Sequence, residues 1–131
     1  MPVWSIPQKF YAEARENCVT WAKQFGYLRA PREGGKGSRW DEWVSANNTA
    51  PAMPDLGSMG FVADLFVKSG RYMRGGSEIA PLTYQEIEAF ARVEIGIGVD
   101  DMRLIRAMSV AFVDWLAFGR DVFCAPPWDE A

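Results

Sequence analysis

Histidine is absent from this sequence of 131 residues, and cysteine occurs only twice. Histidine is the side chain most often used for proton transfer near neutral pH and the commonest ligand of transition metals. Its absence excludes Ser-His-Asp and Cys-His catalysis and any zinc site that includes a histidine. The two cysteines, Cys18 and Cys124, are too few for a disulfide scaffold and lie among apolar residues. We therefore expect two free thiols and a reducing compartment.

Long apolar segments are missing as well. The longest apolar run, Met108 to Phe118, is interrupted by Asp114 and is too short to span a bilayer. The N-terminus, Met1 to Ser5, lacks the charged region followed by an apolar stretch that marks a signal peptide. We therefore expect no membrane segment and no secretion.

Basic residues are not in excess, since 14 Lys and Arg face 17 Asp and Glu and the formal net charge is −3. Residues 1–50 carry seven basic and five acidic groups, whereas residues 51–131 carry seven and twelve. Proteins that bind nucleic acids hold the phosphates with clustered Lys and Arg. The chain contains no basic stripe of useful length, so we expect no nucleic-acid partner.

Apolar and aromatic residues, by contrast, are abundant. The sequence is 49% hydrophobic and 14% aromatic, with six Trp and eight Phe. This is enough for a packed core and too apolar for a disordered chain. Aromatic side chains that a small core cannot enclose tend to lie at interfaces, where they supply much of the binding energy. The composition therefore indicates a protein partner.

Apolar spacing and capping residues predict an all-α fold, a compact bundle of about four helices with long irregular loops in a single domain, residues 1–131. In the first helix, for example, Phe10, Ala14 and Cys18 recur at four-residue intervals. Capping boxes and glycines mark the ends. The predicted helices run from Ser5 to Gly26, from Ser58 to Lys68, from Thr83 to Val93 or Glu94, and from Asp100 to Gly119.

The remaining segments are predicted as connections. Residues 29–39 and 45–57 are rich in Gly, Pro and Asn and are expected to be flexible, with a helical turn at Trp40–Val44 between them. Residues 120–131 are expected to form an extended tail. No alternating apolar run is long enough to predict a strand. The glycines at 34–37 lack the spacing of a phosphate-binding loop.

Two motifs admit a functional interpretation but have a simpler structural one. The segment Thr83–Met108 has the lengths of a DNA-binding helix-turn-helix, yet its second helix begins with Asp100 and Asp101, which would face phosphates. A structural helical hairpin is favoured. The carboxylates here are explained by capping and by the positive end of the helix dipole. We therefore predict no catalytic, cofactor-binding or metal-binding residues.

The last predicted helix is apolar around nearly its whole circumference. From Ser109 to Gly119 only Ser109 and Asp114 are polar. Such a helix either lies at the centre of the core or is covered by a partner. Small chains bury a smaller fraction of their surface, so both explanations stay open.

Part of the chain resembles a known family. The segments Pro81–Ala91 (PLTYQEIEAFA), Gly96–Val99, Met102–Met108 (MRLIRAM) and Phe112–Leu116 (FVDWL) are similar to small tail assembly chaperones of long-tailed bacteriophages. In that family a Pro-Leu-Thr-aromatic-x-Glu-Ile-x-Ala helix start precedes a glycine-containing turn and a Leu-x-Arg-Ala helix that ends in aromatic residues. The resemblance covers residues 58–118.

The resemblance implies a non-catalytic protein of the host cytoplasm that binds the phage tape-measure protein, keeps it soluble and helps to recruit tail-tube subunits. The alternatives are a small structural virion protein, a helix-turn-helix regulator, and an enzyme that uses carboxylates or Cys18. Self-association is left open. The residues expected to contact a partner are Phe61, Leu65, Phe66, Tyr84, Trp115, Phe118, Phe123 and Trp128.

Overall fold

The computed structural model describes residues 8–31, 37–75, 78–94, 96–121 and 123–129. The described chain is mostly helical, which confirms the predicted all-α class. Its helices are α1 (Gln8–Arg29), α2 (Arg39–Asn47), α3 (Gly60–Lys68), α4 (Tyr84–Val93) and α5 (Val99–Phe118). Strands β1 (Met73–Gly75) and β2 (Glu78–Ala80) form a hairpin, and 3-10 turns cover Gly57–Met59 and Pro127–Asp129.

Helix α5 is the centre of the fold, and α1, α3 and α4 pack against it. Its largest fully buried side chains are Leu104, Ile105, Met108 and Phe112. The apolar circumference of this helix is therefore explained mainly by the core. None of the described helices has the length and apolar character needed to cross a membrane.

Helix α1 runs beside α5 in the same direction, because Tyr11 and Arg103 lie together at one end and Ala30 meets Gly119 at the other. The two backbones approach closely along a row of small residues on the buried face of α1. A Cβ atom at Gly26 would lie 2.5 Å from the backbone oxygen of Phe112. The buried row consists of Ala14, Cys18, Ala22, Gly26 and Ala30.

Gly26 was expected to end the first helix, and this prediction is wrong. Helix α1 continues to Arg29, with Gly26 inside it. A glycine can end a helix by adopting a left-handed conformation, but it also permits close approach of another backbone. At Gly26 the close approach of the α5 backbone is what requires glycine. The predicted cap Ser5 lies outside the described residues.

The N-termini of α4 and α5 are each capped by a side chain. The Thr83 hydroxyl accepts a hydrogen bond from the backbone nitrogen of Glu86 at 3.2 Å, as predicted. At α5 the Asp101 carboxylate accepts from the backbone nitrogen of Gly98 at 3.0 Å, so Gly98 and not the predicted Asp100 is the cap residue. Burial raises the pKa of Asp101, and the bond from Gly98 opposes that shift.

The connection between α3 and α4 contains the β-hairpin, in which Arg74 pairs with Ile79. The sequence did not predict it, because strands of three residues show no recognisable alternation. Ser109 of α5 is fully buried and holds both flanks of the hairpin. Its hydroxyl donates to the carbonyl of Arg71 at 2.7 Å and accepts from the backbone nitrogen of Leu82 at 2.8 Å.

The segment expected as a flexible connection, residues 29–39, begins and ends in helices. Arg39 is the first residue of α2 and is buried. Its Nε donates to the carbonyl of Gly119 at 2.9 Å and its Nη2 to that of Asp121 at 2.7 Å. The guanidinium also lies 5.2 Å from the ring centroid of Tyr27. Residues 32–36 of this segment lie outside the described residues.

The described part of the predicted extended tail folds back onto the body. Trp128, within a 3-10 turn, has its ring centroid 5.6 Å from that of Tyr27 and 5.3 Å from that of Trp43. The predicted connection 45–57 is also shorter than expected, since α2 extends to Asn47 and a 3-10 turn begins at Gly57.

Candidate partner-binding groove

The structure places the eight predicted partner-binding residues in three different environments. Phe66 and Trp115 are buried, and the Phe66 ring packs against Phe112 in the core. Leu65 and Trp128 are half-buried. Leu65 packs against the main core, and Trp128 packs against a smaller apolar cluster of Tyr27, Leu28 and Trp115. The exposed residues are Phe61, Tyr84, Phe118 and Phe123, of which Phe123 is 92% exposed.

An open groove of about 390 Å³ lies between α1 and α5. Its α1 wall is formed by residues at four-residue intervals, which lie on one side of a helix. Tyr84, at the start of α4, contributes to the end where α1 and α5 begin. The residues of the α1 wall are Tyr11, Arg15, Val19 and Lys23.

The floor of the groove is apolar, and aromatic rings lie at both ends. Ala107, Val110 and Ala111 of α5 line the middle. Trp115 lines the far end, and the ring of Phe118 lies 5.4 Å beyond it in an edge-on arrangement. Two of the predicted residues, Tyr84 and Trp115, thus line this groove, and Phe118 extends it. Phe61 and Phe123 do not line it.

The rim of the groove is mainly cationic. Arg15 and Lys23 lie on the α1 side and Arg103 and Arg106 on the α5 side, against the single carboxylate of Asp114. The guanidinium of Arg106 lies 5.8 Å from the ring centroid of Tyr84. The buried Nε of Arg106 has no hydrogen-bond partner in the part of the chain that the structure describes.

Tyr11 closes the same end of the groove as Tyr84. Burial raises the pKa of Tyr11, and nearby Arg15 acts in the opposite direction. The phenol therefore stays neutral at physiological pH and can donate a hydrogen bond.

This cationic rim was not predicted, because its basic residues are far apart along the chain and form no local cluster. Arg15 and Lys23 lie more than 75 residues before Arg103. The available signal was their eight-residue spacing, which puts both on one side of α1, together with the three-residue spacing of Arg103 and Arg106 on α5. Only the packing of the two helices brings these pairs together.

A second basic cluster lies elsewhere and is part of the packing. The guanidinium of Arg71 lies 5.8 Å from the ring centroid of Phe112 and 5.9 Å from those of Phe25 and Tyr72. A hydrogen bond with Arg74 lowers the pKa of Tyr72, and the charges of Arg74 and Arg71 act in the same direction. These cations stabilise aromatic rings of the core surface.

Two properties of the cysteine and carboxylate side chains bear on catalysis. Within the described ranges, no group of three or more Cys, Asp or Glu side chains could hold a metal ion. Neither Cys18 nor Cys124 forms a disulfide within the described residues. Burial raises the pKa of Cys18 to about 11, so this thiol is a poor nucleophile at neutral pH.

Comparison of the chain with protein-family models, with curated proteins and with solved structures finds no match in any of the three.

Proposed function

We propose that this protein is a non-catalytic binding protein that holds helical segments of another polypeptide in the groove between α1 and α5. On the resemblance of residues 58–118, we propose that it is a bacteriophage tail assembly chaperone of the host cytoplasm. Its client would be the tape-measure protein, which it keeps soluble and to which it helps to recruit tail-tube subunits. The observation that carries the proposal is an open groove between the two helices, in which Val19, Ala107 and Val110 are partly exposed.

The length of the groove suits a helix of a few turns. Its α1 wall extends from Tyr11 to Lys23, which corresponds to about 18 Å of helix at a rise of 1.5 Å per residue. This is the length of about three helical turns. Binding of an amphipathic helix along an apolar groove is a common mode of peptide recognition.

The residues that carry the family resemblance form one side of this groove. Tyr84 comes from the Pro-Leu-Thr-Tyr helix start, and Arg106 and Ala107 come from the Leu-x-Arg-Ala pattern. Trp115 belongs to the aromatic end of the same helix. The resemblance and the groove therefore support the same surface as the binding site.

Exposed aromatic side chains agree with a binding role. Phe118, next to the groove, is 52% exposed, and contiguous apolar surface of this kind often marks protein contacts. Single exposed rings carry little weight by themselves, because every protein has some. Phe118 follows Ala111 and Trp115 along one side of α5, and its ring lies 5.4 Å from that of the buried Trp115.

The test is Val110→Asp, which puts a charge on the half-buried floor. We expect it to weaken binding of tape-measure fragments at least about tenfold in calorimetry, because an unpaired carboxylate would lie against the apolar face of the client. Val93→Asp is the matched control, since Val93 is 81% exposed on α4 and outside the groove. Circular dichroism melts check that both variants fold.

Wild-type affinity in the Val110→Asp variant would show that the groove is not the binding site. The rival role in the virion is tested separately, by mass spectrometry of purified particles. A chaperone should be absent from them, whereas stoichiometric recovery of this chain would support a structural tail or head-completion protein.

A further inference from the structure

We infer that the segment bound in the α1–α5 groove is an amphipathic helix whose apolar face is flanked on both sides by Asp and Glu residues. This inference rests on the proposed function and adds the chemistry of the client. It follows from the juxtaposition of an apolar floor with two cations on each wall.

The charge distribution is the first argument. The protein as a whole carries a net charge of −3, yet the groove is lined by four basic residues and one acidic residue. Arg15 and Lys23 lie on one wall, and Arg103 and Arg106 lie on the other. Arg103 pairs with Asp100 at 3.7 Å, but its side chain stays 58% exposed. A helix inserted between them places its two flanks beside these pairs. Acidic flanks would complement both walls, and basic flanks would be repelled by both.

Arg106 supplies the second argument. Its Nε is buried and has no hydrogen-bond partner among the described residues. The ring of Tyr84 lies 5.8 Å from the guanidinium carbon, which helps to fix the orientation of the guanidinium. Because this Nε is shielded from solvent, a client carboxylate would pair with the part of the guanidinium that lines the groove, in a charge-assisted contact.

The apolar floor favours a helical peptide over a nucleic acid as the occupant of the groove. Phosphates gain nothing from contact with Val19, Val110 and Ala107, whereas the apolar face of a helix buries them. The cations also form two short pairs and not a continuous track of the kind that follows a nucleic-acid backbone. An acidic amphipathic helix satisfies the floor and the walls together.

The experiment uses the full chain and three synthetic peptides of about 18 residues, the number that spans the groove with one turn or so at each end. All three carry the same leucine face, and the flanking positions are Glu, Gln or Lys. Fluorescence anisotropy measures their affinity. We expect the Glu peptide to bind at least about tenfold more tightly than the Gln peptide and the Lys peptide to bind most weakly. The preference should shrink when NaCl rises from about 50 mM to about 500 mM.

A charge-reversal variant tests whether the preference for the Glu peptide depends on the cations of the groove. Arg103→Glu, at a side chain that is 58% exposed, should reduce the preference for the Glu peptide while leaving affinity for the Gln peptide close to that of the wild type. Arg92→Glu is the matched control, because Arg92 is exposed on α4 and does not line the groove. It should leave all three affinities unchanged.

The outcomes separate the two proposals. If the three peptides bind equally and Val110→Asp abolishes binding, the groove is a client site but the acidic client is refuted. If no peptide binds, the proposed function fails as well. A dimer in sedimentation that Arg103→Glu dissociates would identify a second copy as the occupant and overturn the inference. Displacement of the Glu peptide by a tighter-binding single-stranded oligonucleotide would overturn it too.

Discussion

A side chain at Gly26 would meet the main chain of α5, because its Cβ would lie 2.5 Å from the backbone oxygen of Phe112. About one helical turn further along, a Cβ at Gly119 would lie 2.6 Å from the Cβ of Ala30. These two positions set how closely α1 and α5 can approach, and hence the width of the groove between them.

Gly26→Ala should therefore destabilise the protein, although alanine is normally the better helix former by about 1 kcal/mol. We expect a loss of about 2 kcal/mol or more in the free energy of unfolding, because the contact is with backbone and cannot be relieved by a side-chain rotation. Gly60→Ala at the start of α3 is the control, since a Cβ there meets nothing within 4 Å. Urea denaturation measures both, and equal stability of the two variants would contradict the close contact.

The carboxyl of Asp101 makes a pH-dependent contribution. Burial raises its pKa above the ordinary value, the charge of Asp100 adds to this, and the bond from Gly98 opposes it. Since the pKa of the folded state is the higher one, the stabilising contribution is full below the ordinary pKa. It is lost as the pH rises through the raised pKa.

Asp101→Asn keeps an acceptor for the Gly98 nitrogen and removes the charge. Relative to the wild type, this variant should gain stability as the pH rises from about 3 to about 7. Gln85→Asn, at an exposed position of α4, removes no charge and is the control. Melting temperatures across this range decide the matter, and a wild-type advantage that grows with pH would refute the direction of the shift.

At the scale of elements, α5 organises its neighbours through one polar group as well as through apolar packing. The buried hydroxyl of Ser109 joins the carbonyl of Arg71, before the hairpin, to the nitrogen of Leu82, after it. The hairpin itself has only two three-residue strands, and such an isolated pair is marginally stable in water. Its position therefore depends on this serine.

Ser109→Ala should cost about 1–3 kcal/mol, because it leaves a buried donor and a buried acceptor without a partner. Ser58→Ala, at an exposed serine, is the matched control and should change the stability by less than about 0.5 kcal/mol. Hydrogen exchange gives a second measurement. Protection of the Leu82 amide should fall in the Ser109 variant, and unchanged protection would mean that another group holds this segment.

For the whole molecule, the decisive contact is the one that Arg39 makes at the C-terminal ends of the parallel helices α1 and α5. The negative ends of both helix dipoles lie together there, and the buried Arg39 donates to the carbonyls of Gly119 and Asp121. Its backbone nitrogen also donates to the carbonyl of Ala30 at 3.0 Å. One residue thus joins α1, α2 and the start of the C-terminal segment.

Arg39→Met should lower the free energy of unfolding by about 3 kcal/mol, because two charge-assisted hydrogen bonds are lost and the buried carbonyl of Gly119 is left without this donor. Arg39→Lys should recover part of this, since one ammonium cannot reproduce the geometry of the guanidinium. Arg120→Met, at an exposed arginine nearby, is the control. Chemical denaturation measures the free energies of unfolding. A value for Arg39→Met within about 0.5 kcal/mol of this control would contradict the stabilising role of the Arg39 hydrogen bonds.

Local patterns in the sequence determined the helical class and most helix positions. The Thr83 cap, the Gly119 stop and the helix up to Lys68 were predictable, because caps and apolar periodicity act within a few residues. Sequence reasoning also selected Tyr84 and Trp115 of the groove, through the resemblance and the excess of aromatic residues.

Only the tertiary structure decided which side of α5 is buried, that Gly26 lies inside a helix, and that Arg39 is a core residue. It also decided that Arg15 and Arg103 line one groove on an acidic protein. These features depend on contacts between residues that are about 80 or more positions apart. Apolar periodicity shows that a helix has a face to bury but not which neighbour covers it, so such contacts have no signature in the local sequence.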